Sequence, residues 1–430
     1  MNYRLEDIPA LLRTSVGRHQ LFDGLLHNTW PVLSRLAKVH RCTLARYTSV
    51  VAVVGSFGKS TALRAISTAL AVPIHPRYGG NSWHDVARAV LRIRPLQPHA
   101  VIEAGINGAG QMEQYARVIR PDIAVVMGVG SEHGRSLHTL ERTRAEKVAM
   151  PASLPSSGLA VLNGDDTNVL WMRDRIRARI VTIGMGEAND VRASQVSLDW
   201  PRGTRFRLHI DGQAHDVAVR LIGGHSLYAI LAALAVARAE GVSLHEALAR
   251  LEHLAPTPGR MQPVALPNGA WLLRDEYKSA VETIHSALDV LAQIPARRFV
   301  ALGEVSEPPG SQGRVYRDIG ERLWALRAKT VFVGRGGRTY TARYRRAGGD
   351  TANLFDAGRS VLRAAEFLRK EACCGDVILV KGRSRQCLDR IGLALQGRDV
   401  RCAIEFCRAE VRCESCPMLE RGWGNLRPVT

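Results

Sequence analysis

No run of eighteen consecutive apolar residues occurs in the 430-residue chain, so the sequence offers no candidate for a membrane-spanning helix. Low-complexity tracts and internal repeats are also missing, and a globular protein is expected. The first residues, Met1-Asn2-Tyr3-Arg4-Leu5-Glu6-Asp7, carry acids and lack the apolar core of a secretion signal, which reads as cytoplasmic. There is no basic tail and no basic stripe rich in aromatics. Arg is instead scattered through every expected helix, so the net charge of +19 does not point to nucleic acid as a partner. It suits a solvated surface and anionic substrates. Lys is scarce: only seven of the 59 basic residues, Lys38, Lys59, Lys147, Lys278, Lys329, Lys370 and Lys381. A chain that uses Arg so freely keeps Lys mostly where Arg would fail, and four of the seven fall in the motifs below.

The length exceeds one typical domain. Residues 1–47 read as a helical N-terminal extension, two short helices ending in a basic connection at 41–46, too small for a core of their own. Ser49–Val54 is a short all-apolar run, as a strand buried on both faces of a parallel sheet should be. Strand-like runs recur at 100–103, 123–128 and 159–162 with helical stretches between them, and a hairpin fits 205–210 and 215–221 around Asp211-Gly212. After Pro256-Thr-Pro-Gly259 the alternation restarts, with strands expected at 271–275, 299–303, 330–333, 353–355 and 377–380. The expectation is an α/β protein. Residues 48–258 are expected to form a P-loop domain with a parallel sheet and a small β hairpin, 259–399 a Rossmann-like C-terminal domain, and 400–430 a Cys-rich tail.

Gly55-Ser56-Phe57-Gly58-Lys59-Ser60-Thr61 follows a buried strand and opens a helix, the setting a phosphate loop requires. Glycines let backbone N–H groups approach phosphate, and a helix N-terminus favours anionic charge. Lys59 would reach the outer phosphates and the Ser60 hydroxyl would help hold Mg²⁺. Val53 occupies the first Gly position of the longer G-x-x-x-x-G-K-[ST] pattern, so the loop is a shortened one.

That shortened loop resembles the one in Mur ligases, most nearly the MurF type, and further motifs follow in the same order from about residue 50 to 385. Glu103 in Ile102-Glu103-Ala-Gly105 resembles the family's Mg²⁺-binding strand end. His133 stands where the family has a metal-associated His, and Lys147 in Arg144-Ala-Glu-Lys147 where it has a carbamylated Lys. Leu162-Asn163-Gly-Asp165-Asp166 and Gly223-Gly-His225 match further segments. Gly259-Arg260 is similar to the hinge whose Arg contacts the γ-phosphate, Asp275-x-Tyr277 to the nucleotide-binding acid and its neighbour, and Lys381-Gly-Arg383-Ser384-Arg385 to a C-terminal Lys-Gly-Ser-Arg.

The resemblance implies an ATP- and Mg²⁺-dependent ligase that joins a carboxylate to an amine through an acyl phosphate, releasing ADP and phosphate. An amino acid or small peptide substrate is expected; a muramoyl-peptide ligase of cell-wall synthesis and a nucleotide-binding scaffold without turnover are the alternatives. Lys59, Lys147, His133 and Arg260 are the implied catalytic residues. Gly55, Ser56, Gly58, Lys59, Ser60, Thr61, Arg260 and Asp275 would bind nucleotide, and Ser60, Glu103, His133 and Lys147 would hold Mg²⁺. Asn81, Tyr277, Lys278, Lys381, Arg383, Ser384 and Arg385 would meet substrate. An acyl phosphate forms when a carboxylate attacks the γ-phosphorus of ATP, so cations must neutralise the transferring group. A carbamylated Lys is an anionic oxygen ligand that Arg cannot become. The chain departs from the family in carrying Ser226 and Ala229 for adenine-facing Asn residues and Lys278-Ser-Ala after the Tyr. Residues 1–47 cannot build the MurF-type UDP-gripping domain, and a partner protein or carrier is expected to replace it. The changes fall on substrate and base contacts and spare the phosphate chemistry.

Cys402, Cys407, Cys413 and Cys416 lie within fifteen residues. Cytosolic Cys clusters bind metal more often than they form disulfides, and four thiolates would satisfy tetrahedral Zn²⁺. An Fe–S cluster and plain thiols are the other readings, the latter because Cys402 falls in a strand-like run at 400–406. Cys42, Cys373, Cys374 and Cys387 read as packing.

Overall fold

The computed structural model describes residues 8–74, 80–131, 137, 139–308, 310–409 and 411–423. The chain divides into two compact units, one of residues 28–257 and the other of residues 258–430 with those up to His27.

The first unit is built on an eight-stranded sheet. Its strands are β1 (Ser49–Val54), β2 (His99–Glu103), β3 (Ile123–Val126), β4 (Leu159–Asn163), β5 (Arg179–Gly184), β6 (Val191–Asp199), β7 (Gly203–Ile210) and β8 (Gln213–Val219). The order is β2-β1-β3-β4-β5-β6-β7-β8, parallel up to β6 and antiparallel beyond it. β3 and β4 are buried at every residue, and β1 at all but its first, because helices cover both faces; hence their unbroken apolar sequences. The β7–β8 turn forms at Asp211 (φ 56°) and Gly212 (φ 73°), the left-handed pair that an Asp-Gly hairpin uses. The helix Gly224–Ala239 is apolar nearly all round and packs on the helix Lys59–Ala69. Each of its buried Leu and Ile side chains contributes about 1.5–3 kcal/mol of burial free energy.

β5 and β6 were not expected from the sequence. β6 hides its period-2 pattern behind a bulge between Ser194 and Ser197, with Gln195 at φ 50°. The N-terminal stretch also differs from expectation, forming three helices, Ile8–Leu12, Ser15–Asn28 and Trp30–Cys42. Trp30 meets Trp83 and Tyr115 edge to face, which docks the third helix on the sheet's helical layer. Arg41, expected in the basic connection at 41–46, is instead part of the third helix and buried. Its guanidinium donates to the carbonyls of Ala45, Ile119 and Arg120 and to Asp122 Oδ2 at 2.7 Å.

The second unit holds a six-stranded sheet of β9 (Gln262–Ala265), β10 (Trp271–Asp275), β11 (Arg298–Leu302), β12 (Lys329–Phe332), β13 (Leu354–Asp356) and β14 (Val377–Lys381). The order is β13-β12-β11-β14-β10-β9, parallel except for β9. β9 escaped notice because Pro263 breaks the run, and Pro is confined to edges such as this one. The strand expected at 400–406 is absent. Backbone N–H groups of Arg401 and Cys402 donate to Leu419 and that of Cys407 to Arg385, so no ladder claims the run. Among the described residues no helix is long and apolar enough to cross a membrane.

Candidate functional site

β1 delivers the chain to the C-terminal edge of the first sheet, where α/β folds place ligands. Gly58 takes φ 79° and caps the helix Lys59–Ala69, a left-handed position that suits a residue without Cβ. Beyond β3, Gly128 accepts from Ser56 N–H at 2.8 Å, and Gly130 N–H donates to Ser56 Oγ at 2.9 Å, which fixes the loop's near side. Lys59 folds back, its Nζ donating to the Gly55 carbonyl at 2.9 Å and to Ser56 at 3.5 Å. Thr61 Oγ1 lies 3.3 Å from Thr257 Oγ1, which also accepts from Arg64; spacing gave no hint of that contact.

Glu103 ends β2, one strand from β1, in register with Val53. Its two carboxylate oxygens are separately held: Oε2 accepts from Ser60 Oγ at 2.8 Å and Oε1 from Asn81 Nδ2 at 2.7 Å. The structure thus joins three expected residues into one buried oxygen-rich group. Gly105 makes room for Asn81; a Cβ there would lie 2.7 Å from its amide.

Lys147, at the end of the helix Leu140–Lys147, is fully buried, and its Nζ donates to the Gly55 carbonyl at 3.2 Å. Two lysine side chains 88 positions apart therefore converge on one carbonyl oxygen of the phosphate loop. The neighbouring Glu146 points elsewhere and accepts from the N–H groups of Gly110 and Met112. His133 lies outside the described residues. Ser226 turns its hydroxyl onto the Gly223 carbonyl and Ala229 is buried.

In the second unit the ends of β10 and β14 are paired, with Asp275 opposite Lys381. Lys381 Nζ is 2.7 Å from Asp275 Oδ2 and donates to the Lys278 carbonyl at 2.6 Å. Burial pulls the Lys381 ammonium below its ordinary range, and Asp275 partly offsets that. Arg260 lies over the Tyr277 ring at 4.6 Å. Arg383 stands 3.8 Å from Glu304 and covers Phe406, while Ser384 and Arg385 are exposed beyond it. Next to Asp275, Glu276 is buried against Arg274 at 2.8 Å, and desolvation outweighs that pairing to push its carboxyl up to about 7. Arg274 also holds Glu414 of the tail at 3.0 Å.

The four cysteines picked out by spacing are not gathered as one set among the described residues. Cys402 Sγ accepts from buried Arg390, and the close group is Cys387, Asp389 and Cys413. Cys387, expected to be packing, is buried in the hydrophobic core of the second unit as well as lying in this close group, while Cys42, Cys373 and Cys374, also expected to be packing, are exposed. Sequence distance hid the group: Cys387 is 26 positions from Cys413.

Comparison with known proteins places these features in context. The Mur ligase middle domain family matches residues 53–237. The UDP-N-acetylmuramoyl-tripeptide–D-alanyl-D-alanine ligase of Mycobacterium tuberculosis is 26% identical over 424 residues, covering 91% of this chain and 83% of that protein. The Escherichia coli protein of that name is 28% identical over 353 residues, covering 81% of this chain and 76% of its own length. Among solved structures, the MurF ligase of Thermotoga maritima in complex with ADP is similar in fold, with a TM-score of 0.76 at 20% identity over 86% of this chain and 84% of that one.

Proposed function

We propose that this chain is a Mur ligase: an ATP-dependent ligase joining the carboxylate of a muramoyl-peptide cell-wall precursor to the amine of an amino acid or dipeptide. The observation that carries the reading is the phosphate loop with Ser60, Glu103 and Asn81 in one hydrogen-bonded group and Lys59 and Lys147 on one carbonyl. The similar proteins' names supply the substrate class. The same reading puts the enzyme in the cytoplasm, where ATP is available.

The reaction has two steps. A substrate carboxylate oxygen bonds to the γ-phosphorus of ATP as the β–γ bridging bond breaks, giving an acyl phosphate and ADP. The amine then attacks the acyl carbon, phosphate leaves, and the amine gives up a proton. Lys59 leaves the Gly55 carbonyl to meet the outer phosphates, where an ammonium offsets charge spread over the transferring oxygens. Ser60 and Glu103 are hard oxygen donors that fit Mg²⁺, which when bound would neutralise phosphate charge. A second ammonium beside Lys59 would repel it, whereas a carbamate on Lys147 would attract it and add an oxygen ligand. Arg260 and Asp275 are assigned to the nucleotide, and Tyr277, Lys278, Arg383, Ser384 and Arg385 to substrate, Arg being suited to gripping a carboxylate.

The test is product analysis with ATP, Mg²⁺, a muramoyl tripeptide and D-alanyl-D-alanine. Amide product with equimolar ADP and phosphate is expected, and Lys59→Ala should lower turnover by about 10²–10³-fold, as for loss of one electrostatic stabiliser of a transition state. AMP and pyrophosphate as main products would overturn the mechanism.

A further inference from the structure

The loop after β14 and the tail meet in a polar cluster that the ligase chemistry does not use. Cys387 closes the turn Ser384–Gln386 at φ 53°, a left-handed conformation that a cysteine adopts only at some cost. Two residues on, Asp389 opens the helix Asp389–Leu395. One oxygen of its carboxylate and the sulfurs of Cys387 and Cys413 lie within 4.8 Å of one another. Cys407 joins them: its N–H donates to the Arg385 carbonyl at 2.8 Å, the oxygen that the Cys387 thiol also approaches, and the two thiols are hydrogen-bonded to each other.

Two features are hard to reconcile with thiols merely filling a core. Asp389 Oδ2 accepts from Cys413 N–H at 3.2 Å, but Oδ1 is buried without a hydrogen-bond partner. The Cys413 thiol also bonds this carboxyl, but a carboxylate oxygen buried without a partner is unfavourable, and a bound cation would relieve it. The backbone around the thiols is also braced. Arg390, fully buried, donates to the carbonyls of Cys387, Cys402 and Ile404 and so fixes the approach of the segment that carries Cys407.

We propose that Cys387, Cys407, Cys413 and Asp389 form a structural binding site for a thiophilic divalent metal, Zn²⁺ by preference. Zn–S bonds of about 2.3 Å and Zn–O bonds of about 2.0 Å in a tetrahedron set ligand atoms roughly 3.5 Å apart, so Cys387, Asp389 and Cys413 need to contract by about 1 Å, and Cys407, which stands outside that close group, has to move further to complete the set. Three soft sulfurs with one oxygen in four-coordinate geometry favour Zn²⁺ over Mg²⁺ or Ca²⁺. Cys402 and Cys416 stay outside the ligand set.

The metal pins a particular stretch of tail. Cys413 is flanked by Arg412, which covers Tyr277 and donates to the Pro258 carbonyl, and by Glu414, which holds Arg274. Fixing Cys413 therefore anchors the tail against the end of β10. This inference stands on the cluster alone and is independent of the ligase reading.

The test uses the full chain purified under reducing conditions without chelators. Elemental analysis should give about one Zn²⁺ per chain, and Co²⁺ loading should produce sulfur-to-cobalt charge-transfer absorption of a three-thiolate site. Cys387→Ser and Cys413→Ser should lose the metal. Asp389→Asn keeps the side-chain shape, so it should fold and retain the sulfur absorption while metal affinity, read by chelator competition, drops more than about 100-fold. Cys402→Ser and Cys416→Ser should keep full occupancy. Absence of metal from the reduced parent after Zn²⁺ addition would overturn the site, as would metal kept by Cys387→Ser and lost from Cys416→Ser.

Discussion

Replacing Lys381 by Met tests what that side chain does. Lys381 and Asp275 face each other across β10 and β14, 2.7 Å apart, their side chains 1% and 12% exposed. Met keeps the length and apolar stem, so packing is nearly conserved. The charge on Asp275 is stranded. Removing one partner of a buried ion pair costs about 3–5 kcal/mol. With a urea slope of about 2–3 kcal/mol per M, the unfolding midpoint should fall by roughly 1–2 M. Adding Asp275→Asn removes the stranded charge while keeping an oxygen to accept the Met261 N–H, which Asp275 now does at 3.2 Å. The double variant should recover at least half of the loss, because deleting both partners of such a pair is close to neutral. Urea denaturation, with hydrogen exchange at β10 and β14 to locate the effect, measures both. A single variant within about 1 kcal/mol of the parent, or a double variant no more stable than the single, would refute the pairing argument. A changed KM without lost stability would make Lys381 a substrate contact instead.

Lys147→Ala should lose most ligase activity and Lys147→Arg should not restore it, because a cation cannot replace an anionic ligand; added small carboxylic acids should partly rescue the Ala variant, and a fully active Arg variant would exclude a carbamate. Glu276 ionises near 4.5 when unfolded and near 7 when folded, so between those values the folded state keeps a proton that the unfolded chain has released. Its contribution is full below pH 4.5 and fades as the pH rises to about 7, by up to about 3 kcal/mol, and Glu276→Gln should flatten that part of a melting-temperature profile. Arg41→Met should destabilise the first unit by about 3 kcal/mol, since Asp122 and three carbonyls lose a buried donor; a denaturant midpoint equal to the parent's would show that water replaces it.

The legibility of the fold followed burial. Central strands β1, β3, β4, β10, β11 and β14 read clearly because a strand covered on both faces is apolar along its middle, with polar residues only at its ends. β6 and β9 were missed because a bulge in one and Pro263 in the other break the local pattern, and such breaks are tolerated where neighbouring strands supply the register. The phosphate loop was readable for a different reason: its chemistry needs Gly, Lys and Ser at adjacent positions of one turn.

By itself, then, the sequence determined the α/β class, the phosphate loop at 55–61, and the family motifs in their order, because each depends on residues close in the chain. It could not determine which of those residues meet. Ser60 and Glu103 are 43 positions apart, Lys59 and Lys147 88, Asp275 and Lys381 106, and Cys387 and Cys413 26. The first three pairs are made by adjacent strand ends or by a helix returning the chain to the same sheet edge. Sheet order decided the first three of these contacts; the cysteines are brought together instead by hydrogen bonds to Arg385 and from Arg390, which fold the tail back onto Cys387. A contact of this kind is settled by the packing of the whole unit, and no local pattern in the chain encodes it.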